Sequence, residues 1–216
     1  MVKINSNNIN IKHIDSRPVN SIREYGISGV ILAGGTGRRF GGIAKPNIPV
    51  NGERIILRII RTIEDLFSEI IIITNTPSEF QDLSRYRVAN DHFQNAGPLA
   101  GIHSGLISSE NDAIFVFAGD MPFLSKEIIE EEIRQFRLNE SEILIPRIGE
   151  LIEPLHSIYR VSVLPRMERF LAEGKNRAVR VFLSGLHVDY FILQDSEENR
   201  RAFTNINTQR DIDSIK

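Results

Sequence analysis

The sequence contains no cysteine, which excludes disulfides and thiolate metal sites and makes a reducing compartment its expected setting. It has no basic excess: 26 Lys and Arg against 28 Asp and Glu give a formal net charge of −2. Nucleic-acid-binding proteins usually carry the opposite balance, so that class is set aside. No apolar run approaches the length of a membrane span. The first residues, MVKINSNNINIKHIDS, lack the apolar centre of a signal peptide, and the cytoplasm is the expected location. Internal repeats and an interdomain linker are also missing.

What is present is an ordinary globular composition, 41% hydrophobic and 25% charged over 216 residues, enough for one domain with a substantial core. The chain is organised around residues 29–46, GVILAGGTGRRFGGIAKP. Val30-Ile31-Leu32 suits a strand buried on both faces. Ala33-Gly34-Gly35-Thr36-Gly37 follows, and its glycines let backbone N–H groups converge on an anion. Arg38, Arg39 and Lys45 add three cations. A buried strand, a glycine loop and three cations describe a polyphosphate site; the alternative is a plain strand-to-helix turn. A P-loop is excluded because no Gly-Lys-Ser/Thr triplet occurs. A dinucleotide fingerprint is excluded by Phe40 at its third glycine, and by a next strand that ends in Thr74-Asn75 without an acid.

Along the chain, residues 1–26 read as an arm or a short edge strand, and residues 27–216 as the domain. Asn51-Gly52 predicts a tight turn. Ile55, Ile56, Ile59, Ile60, Ile63, Leu66 and Phe67 recur at helical spacing. Buried strands are expected at 70–74 and 113–118, with a shorter one at 87–89 and a helix at 99–107 opened by Pro98. This alternation argues for a parallel sheet covered on both faces. Beyond it, Ser125 caps a helix to 136, a strand at 142–145 ends at Pro146, and Ile148-Gly149 forms a hairpin turn. Helices at 162–172 and 177–183 stop at Gly174 and Gly185, a strand spans 188–193, and Thr208 with Asp211 starts the last helix. The expected fold is a three-layer α/β/α domain with a mostly parallel sheet.

Ligands of such sheets bind at the carboxyl ends of the strands. Four segments fall there: the glycine loop, Thr74-Asn75, Asn90-Asp91 and Gly119-Asp120. Each is also an ordinary turn sequence, and it is their shared rim that points to a site. Asp120 follows the most apolar strand and is the candidate metal carboxylate, since nucleotide-bound magnesium takes only one or two protein carboxylates.

LAGG-x-GRR-F/M-GG-x-x-K resembles the signature of the molybdenum cofactor guanylyltransferases, the MobA family, within the wider nucleoside-triphosphate transferases. The resemblance covers most of the chain from Ile27 onward and includes Asn95-Ala96-Gly97-Pro98-Leu99-Ala100-Gly101 and Phe203-Thr204-Asn205-Ile206-Asn207-Thr208. It implies a nucleotide-diphospho-sugar transferase type of fold, GTP and molybdopterin as substrates, and magnesium as cofactor. The nucleotide would meet Leu32, Ala33, Gly34, Gly35 and Gly37 on the glycine loop, then Lys45, Asn75, Asp91 and Asp120 on the rim, and Gly97, Pro98 and Leu99 at the helix start. Asp120 and Asn207 would hold the metal. Asn205, His156 and Arg177 would face the acceptor, although His156 among apolar residues also reads as a packed core histidine. Ala44 departs from the acid many members have before the lysine, and Phe40 replaces a common methionine.

Transfer of a nucleotidyl group to a phosphate monoester needs no side-chain nucleophile. The acceptor phosphate, with a second pKa of about 6, is already ionised near neutral pH. Arg38, Lys45 and Asp120 are therefore the expected catalytic residues, supplying alignment and positive charge. The rivals are a cytidylyltransferase on molybdopterin, a sugar-1-phosphate nucleotidylyltransferase suggested by Lys45-Pro46-Asn47-Ile48-Pro49-Val50, and a non-catalytic cofactor carrier. Transient contact with molybdoenzyme chaperones or other cofactor-biosynthesis proteins is expected, and no contact with nucleic acid or membrane.

Overall fold

The first apolar run forms β1 (Ile27–Leu32), paired in parallel on one side with β4 (Ile70–Ile73) and on the other with β6 (Ala113–Ala118). The structure is a computed structural model, and it describes residues 26–34, 43–93, 96–174 and 177–214; of the arm or edge strand expected at 1–26, residues 1–25 lie outside them. Strands this apolar are stable only when both faces are covered, and that is how they are placed. Ile31, Phe115, Phe117 and Ile72 point into one core, while Val30, Ile114, Val116, Ile71 and Ile73 point into the other.

The first core is closed by α1 (Ile55–Ile63) and α3 (Lys126–Leu138). In α1 five isoleucines are buried, and truncating one of them to alanine is worth about 2–5 kcal/mol. Ser125 caps α3 as expected, accepting from the N–H of Ile128. The second core is closed by α2 (Pro98–Ser108), α4 (Leu164–Glu173) and α5 (Val179–Leu183). The result is three layers. Gly101 and Gly105 let α2 lie close on the sheet, because a Cβ at either would stand within 3 Å of Leu32 or Val30 side-chain atoms.

The principal sheet runs β10-β7-β9-β6-β1-β4-β5, with β5 (Arg87–Ala89), β7 (Ile143–Ile148), β9 (His156–Arg160) and β10 (Asp189–Leu193); β8 (Leu151–Ile152) hangs off β7. Only β8 and β9 run against the rest. Asn51 and Gly52, both at positive φ, turn a separate hairpin between β2 (Pro49–Val50) and β3 (Glu53–Arg54). Two short helices, α6 (Glu197–Ala202) and α7 (Gln209–Asp213), follow β10, and Thr208 with Asp211 forms the expected capping box.

Two expectations need correction. The strand thought to stop at Pro146 continues to Ile148. Pro146 is tolerated because it falls between two partners: β9 pairs with Ile143 and Leu144, and β8 with Arg147 and Ile148. The second concerns the segment around His156, expected to face the acceptor, which forms β9. It is a central strand with His156 and Ile158 in one core and Tyr159 in the other.

Candidate active site

Parallel register brings the strand ends level. Leu32 pairs with Ile73 and with Ala118, and Ile73 with Ala89, so the residues that follow each strand emerge along one rim. The tips of β1 and β6 touch. Gly119 donates its N–H to the carbonyl of Leu32 at 3.1 Å, and a Cβ there would stand 2.6 Å from that oxygen and 2.5 Å from Pro46 Cγ. Glycine is required at this point, directly before Asp120.

Lys45 opens a short 3-10 turn (Lys45–Asn47) with Pro46 buried in its first turn. The turn is pinned from outside: Glu79 accepts the Ala44 N–H at 2.9 Å, and its own carbonyl accepts from Asn47 Nδ2 at 3.2 Å. The Ala44 hydrogen bond, ahead of those from Thr76 and Asn47, holds the Glu79 carboxyl below the usual range. From this base the Lys45 ammonium donates to Asp120 Oδ2 at 2.9 Å and to Asn207 Oδ1 at 2.6 Å. Residue 207 is delivered by the chain's last segment. Ile206 donates its N–H to the Asp120 carbonyl at 2.8 Å, and Asp211 accepts the Asn207 N–H at 2.7 Å. Backbone hydrogen bonds from Asn207 and Thr208 lower the Asp211 pKa.

A second pair stands further along the rim. Asn75 Nδ2 donates to Asp91 Oδ2 at 2.9 Å, and the Asp91 N–H returns a bond to Asn75 Oδ1 at 3.3 Å. Asp91 Oδ1 is buried and lacks a partner among the described residues; burial raises this carboxyl above its ordinary range. A buried acceptor left open beside this rim suits a ligand donor. Gly97, at φ 70, swings the chain into α2 with Pro98 at its first position. The side chain of Leu99 is buried in the core. Gly34 is exposed, and a Cβ there would meet no described atom within 4 Å, so packing does not demand a glycine. Gly35, Gly37 and Arg38 lie outside the described residues.

Among the acceptor candidates, Asn205 is half-buried on the segment tied to Asp120. His156 is not at the site. Its ring is fully buried between Phe115, Phe117 and Phe203, 3.7 Å from Glu132, which is also fully buried. None of their four polar side-chain atoms has a hydrogen-bond partner among the described residues. The separation would fit an ion pair, but without those hydrogen bonds desolvation prevails: burial pushes Glu132 well above the carboxylate range and His156 down to about 3. Both shifts favour the neutral form of the pair. Arg177 is half-buried near Gly174, and no described contact joins it to Lys45 or Asp120.

Glu153 becomes a candidate through the structure. It is half-buried, and burial raises its pKa, offset in part by the Leu155 N–H it accepts; the Asp120 charge raises it again, and it is lowered by that of Arg180, which donates towards the Ile152 carbonyl. Its loop is fixed to the tip of β6, because Ala118 donates to Leu155 O at 2.8 Å. The signal was the sequence Glu153-Pro154 after the hairpin, but placing it beside Asp120 required knowing β9.

A parallel sheet that gathers glycine turns, a lysine and an acid on its carboxyl rim is the architecture of nucleotidyltransferases of the nucleotide-diphospho-sugar transferase type. Comparison narrows the class. The model of the MobA-like NTP transferase domain matches residues 29–187, and the chain belongs to that family. A probable molybdenum cofactor guanylyltransferase of Natranaerobius thermophilus is 33% identical over 198 residues, covering 88% of this chain and 95% of the relative. The molybdenum cofactor guanylyltransferase of Desulfosudis oleivorans is 31% identical over 197 residues, covering 88% and 94%. Among solved structures, molybdopterin-guanine dinucleotide biosynthesis protein A from Archaeoglobus fulgidus aligns with a TM-score of 0.74 and 27% identity, over 88% of this chain and 96% of that one.

Proposed function

We propose that the protein transfers GMP from GTP to the terminal phosphate of molybdopterin, giving the guanine dinucleotide cofactor and pyrophosphate. The observation that carries the reading is the convergence of Lys45, Asp120 and Asn207 at the tips of β1 and β6. An ionised acceptor oxygen attacks the α-phosphorus in line. The bond from that phosphorus to the bridging oxygen breaks, and pyrophosphate leaves with the electron pair. No proton needs to be removed from the acceptor, which explains why no side-chain base is required. Lys45 stabilises the negative charge that moves to the pyrophosphate, with the glycine-loop amides and Arg38 in support. Asn75 and Asp91 hold the nucleoside end.

Magnesium fits the donor set, because Asp120 Oδ2 and Asn207 Oδ1 are hard oxygens already directed at one cationic centre. When bound, it supplies charge neutralisation at the phosphate oxygens. Asn205 and the Glu153–Arg180 side of the rim face the acceptor. The work is cytoplasmic, with the product passed on by transient contact with molybdoenzyme chaperones or other cofactor-biosynthesis proteins; no helix among the described residues is long and apolar enough to cross a membrane.

The test is a competition between equal GTP and CTP with magnesium and molybdopterin. Guanine presents two neighbouring donors that cytosine lacks, and acceptors left unpaired cost about 1–3 kcal/mol each. At least a tenfold excess of guanine dinucleotide is expected, eroded by Gly34→Ala, which crowds the ligand without disturbing the fold. Predominant cytosine dinucleotide rejects the guanylyl reading, and no turnover with any nucleoside triphosphate rejects nucleotidyl transfer itself.

A further inference from the structure

The two oxygens best suited to a divalent cation already hold a cation that belongs to the chain. Asp120 Oδ2 and Asn207 Oδ1 accept the same ammonium, at 2.9 and 2.6 Å. Everything around that ammonium is tied down. The Lys45 turn is held by Glu79 and by buried Pro46, Asp120 by the Ile206 N–H, and Asn207 by the Asp211 carboxylate. The mobile part is the lysine stem, whose four carbons can redirect the charge without moving any backbone.

From this we infer that Lys45 is a placeholder for the divalent cation. Its ammonium fills the seat between Asp120 and Asn207 in the nucleotide-free protein and leaves it when the cation arrives with a nucleotide. The inference rests on the magnesium reading above. A metal ion and an ammonium cannot share the same oxygen pair, since the charges repel and magnesium coordinates at about 2.0–2.1 Å. A free metal ion must therefore expel the ammonium from both acceptors with nothing to receive it. A metal ion that comes with a triphosphate brings new anionic oxygens for the ammonium. Metal and nucleotide should consequently bind with positive coupling, each raising affinity for the other. Meanwhile the lysine keeps the donor pair at cation-binding separation and spares Asp120 from standing uncompensated beside Glu153.

The experiment is a Mn²⁺ titration followed by the electron paramagnetic resonance signal of the free aquo ion, with and without the unreactive α,β-methylene analogue of GTP, each binding curve being taken relative to a protein-free titration of the same analogue. Without nucleotide, Lys45→Met and Lys45→Gln should bind Mn²⁺ at least tenfold more tightly than the unmodified protein. Adding Asn207→Ala to either should cancel most of that gain, because the freed seat uses both oxygens. With the analogue, the unmodified protein should bind Mn²⁺ at least tenfold more tightly than without it, and Asp120→Asn should lose binding in both conditions. Thermal melts establish that each variant is folded. Equal nucleotide-free affinity in the lysine variants and the unmodified protein overturns the placeholder. So does a gain indifferent to Asn207, which would reflect only a removed charge. Absence of Mn²⁺ binding even with the analogue overturns the magnesium reading, and the placeholder with it.

Discussion

Ile206 donates its backbone N–H to the carbonyl of Asp120 at 2.8 Å, joining the chain's last segment to the tip of β6. The bond occupies the main chain of Asp120 and leaves its carboxylate free to face Lys45. It also fixes the residue before Asn207. The functional rim is therefore assembled from both ends of the domain.

Asp120→Ala should abolish nucleotidyl transfer at every magnesium concentration and leave the circular dichroism spectrum unchanged, since the hydrogen bond to Ile206 uses only backbone. Metal-dependent turnover in a folded Asp120→Ala protein would remove Asp120 from the mechanism.

Gly119→Ala changes packing at a point with no slack. Its Cβ would stand 2.6 Å from a backbone carbonyl oxygen and 2.5 Å from Pro46, the neighbour of Lys45. Overpacking of this kind costs about 1–3 kcal/mol. A lowered melting temperature together with reduced transfer is expected; an unchanged melting point would mean that the β1 and β6 tips separate freely.

Lys45→Ala should slow the chemical step much more than it weakens GTP binding, because its charge matters most as negative charge gathers on pyrophosphate. Each tenfold in rate corresponds to about 1.4 kcal/mol of barrier. Single-turnover kinetics with an unaltered chemical rate and only a raised dissociation constant for GTP would contradict this role.

The neutral Glu132–His156 pair makes stability depend on pH in two opposed ways. His156, lowered to about 3, stays unprotonated when folded, so its contribution is lost as pH falls below the ordinary histidine value of 6.5. Glu132, raised from 4.5, stays protonated when folded, so the unfolded chain gains by ionising as pH rises. Between those two ordinary values the slopes oppose each other, and above them only the glutamate slope, at most about 1.4 kcal/mol per pH unit, remains until pH reaches the raised folded-state value. Glu132→Gln removes it. The variant should be the more stable protein at pH 8, with an advantage that shrinks towards pH 5 in urea denaturation. A glutamine variant that is less stable, and increasingly so with pH, would establish an ion pair in place of the neutral one.

Much of the nucleotide half could be read from residue order because β1, β4 and β6 are continuous apolar runs ending in polar turns. Lys45, Asp120 and Asn207 were each singled out by motif, but their meeting depends on the 3-10 turn and on the Ile206 bond, which no local pattern encodes. β9 escaped notice for a physical reason: His-Ser-Ile-Tyr-Arg is buried on both faces yet mixes polar and apolar types, so neither alternation nor a hydrophobic run marks it. The resemblance turned His156 towards the acceptor, and the burial of β9 decides for the alternative reading of a packed core histidine.

The placement of β9 between β6 and β7 also dictates an order of assembly. β7 is made before β9 but has no direct pairing with β6; it reaches the earlier strands only through β9. Until residue 160 has been synthesised, β6, buried along its whole length in the finished sheet, has an open flank, and β7 lacks the strand that joins it to the rest. Fragments ending before that point keep a bare, sticky edge. On the ribosome, this stretch is where the nascent chain most needs protection from aggregation.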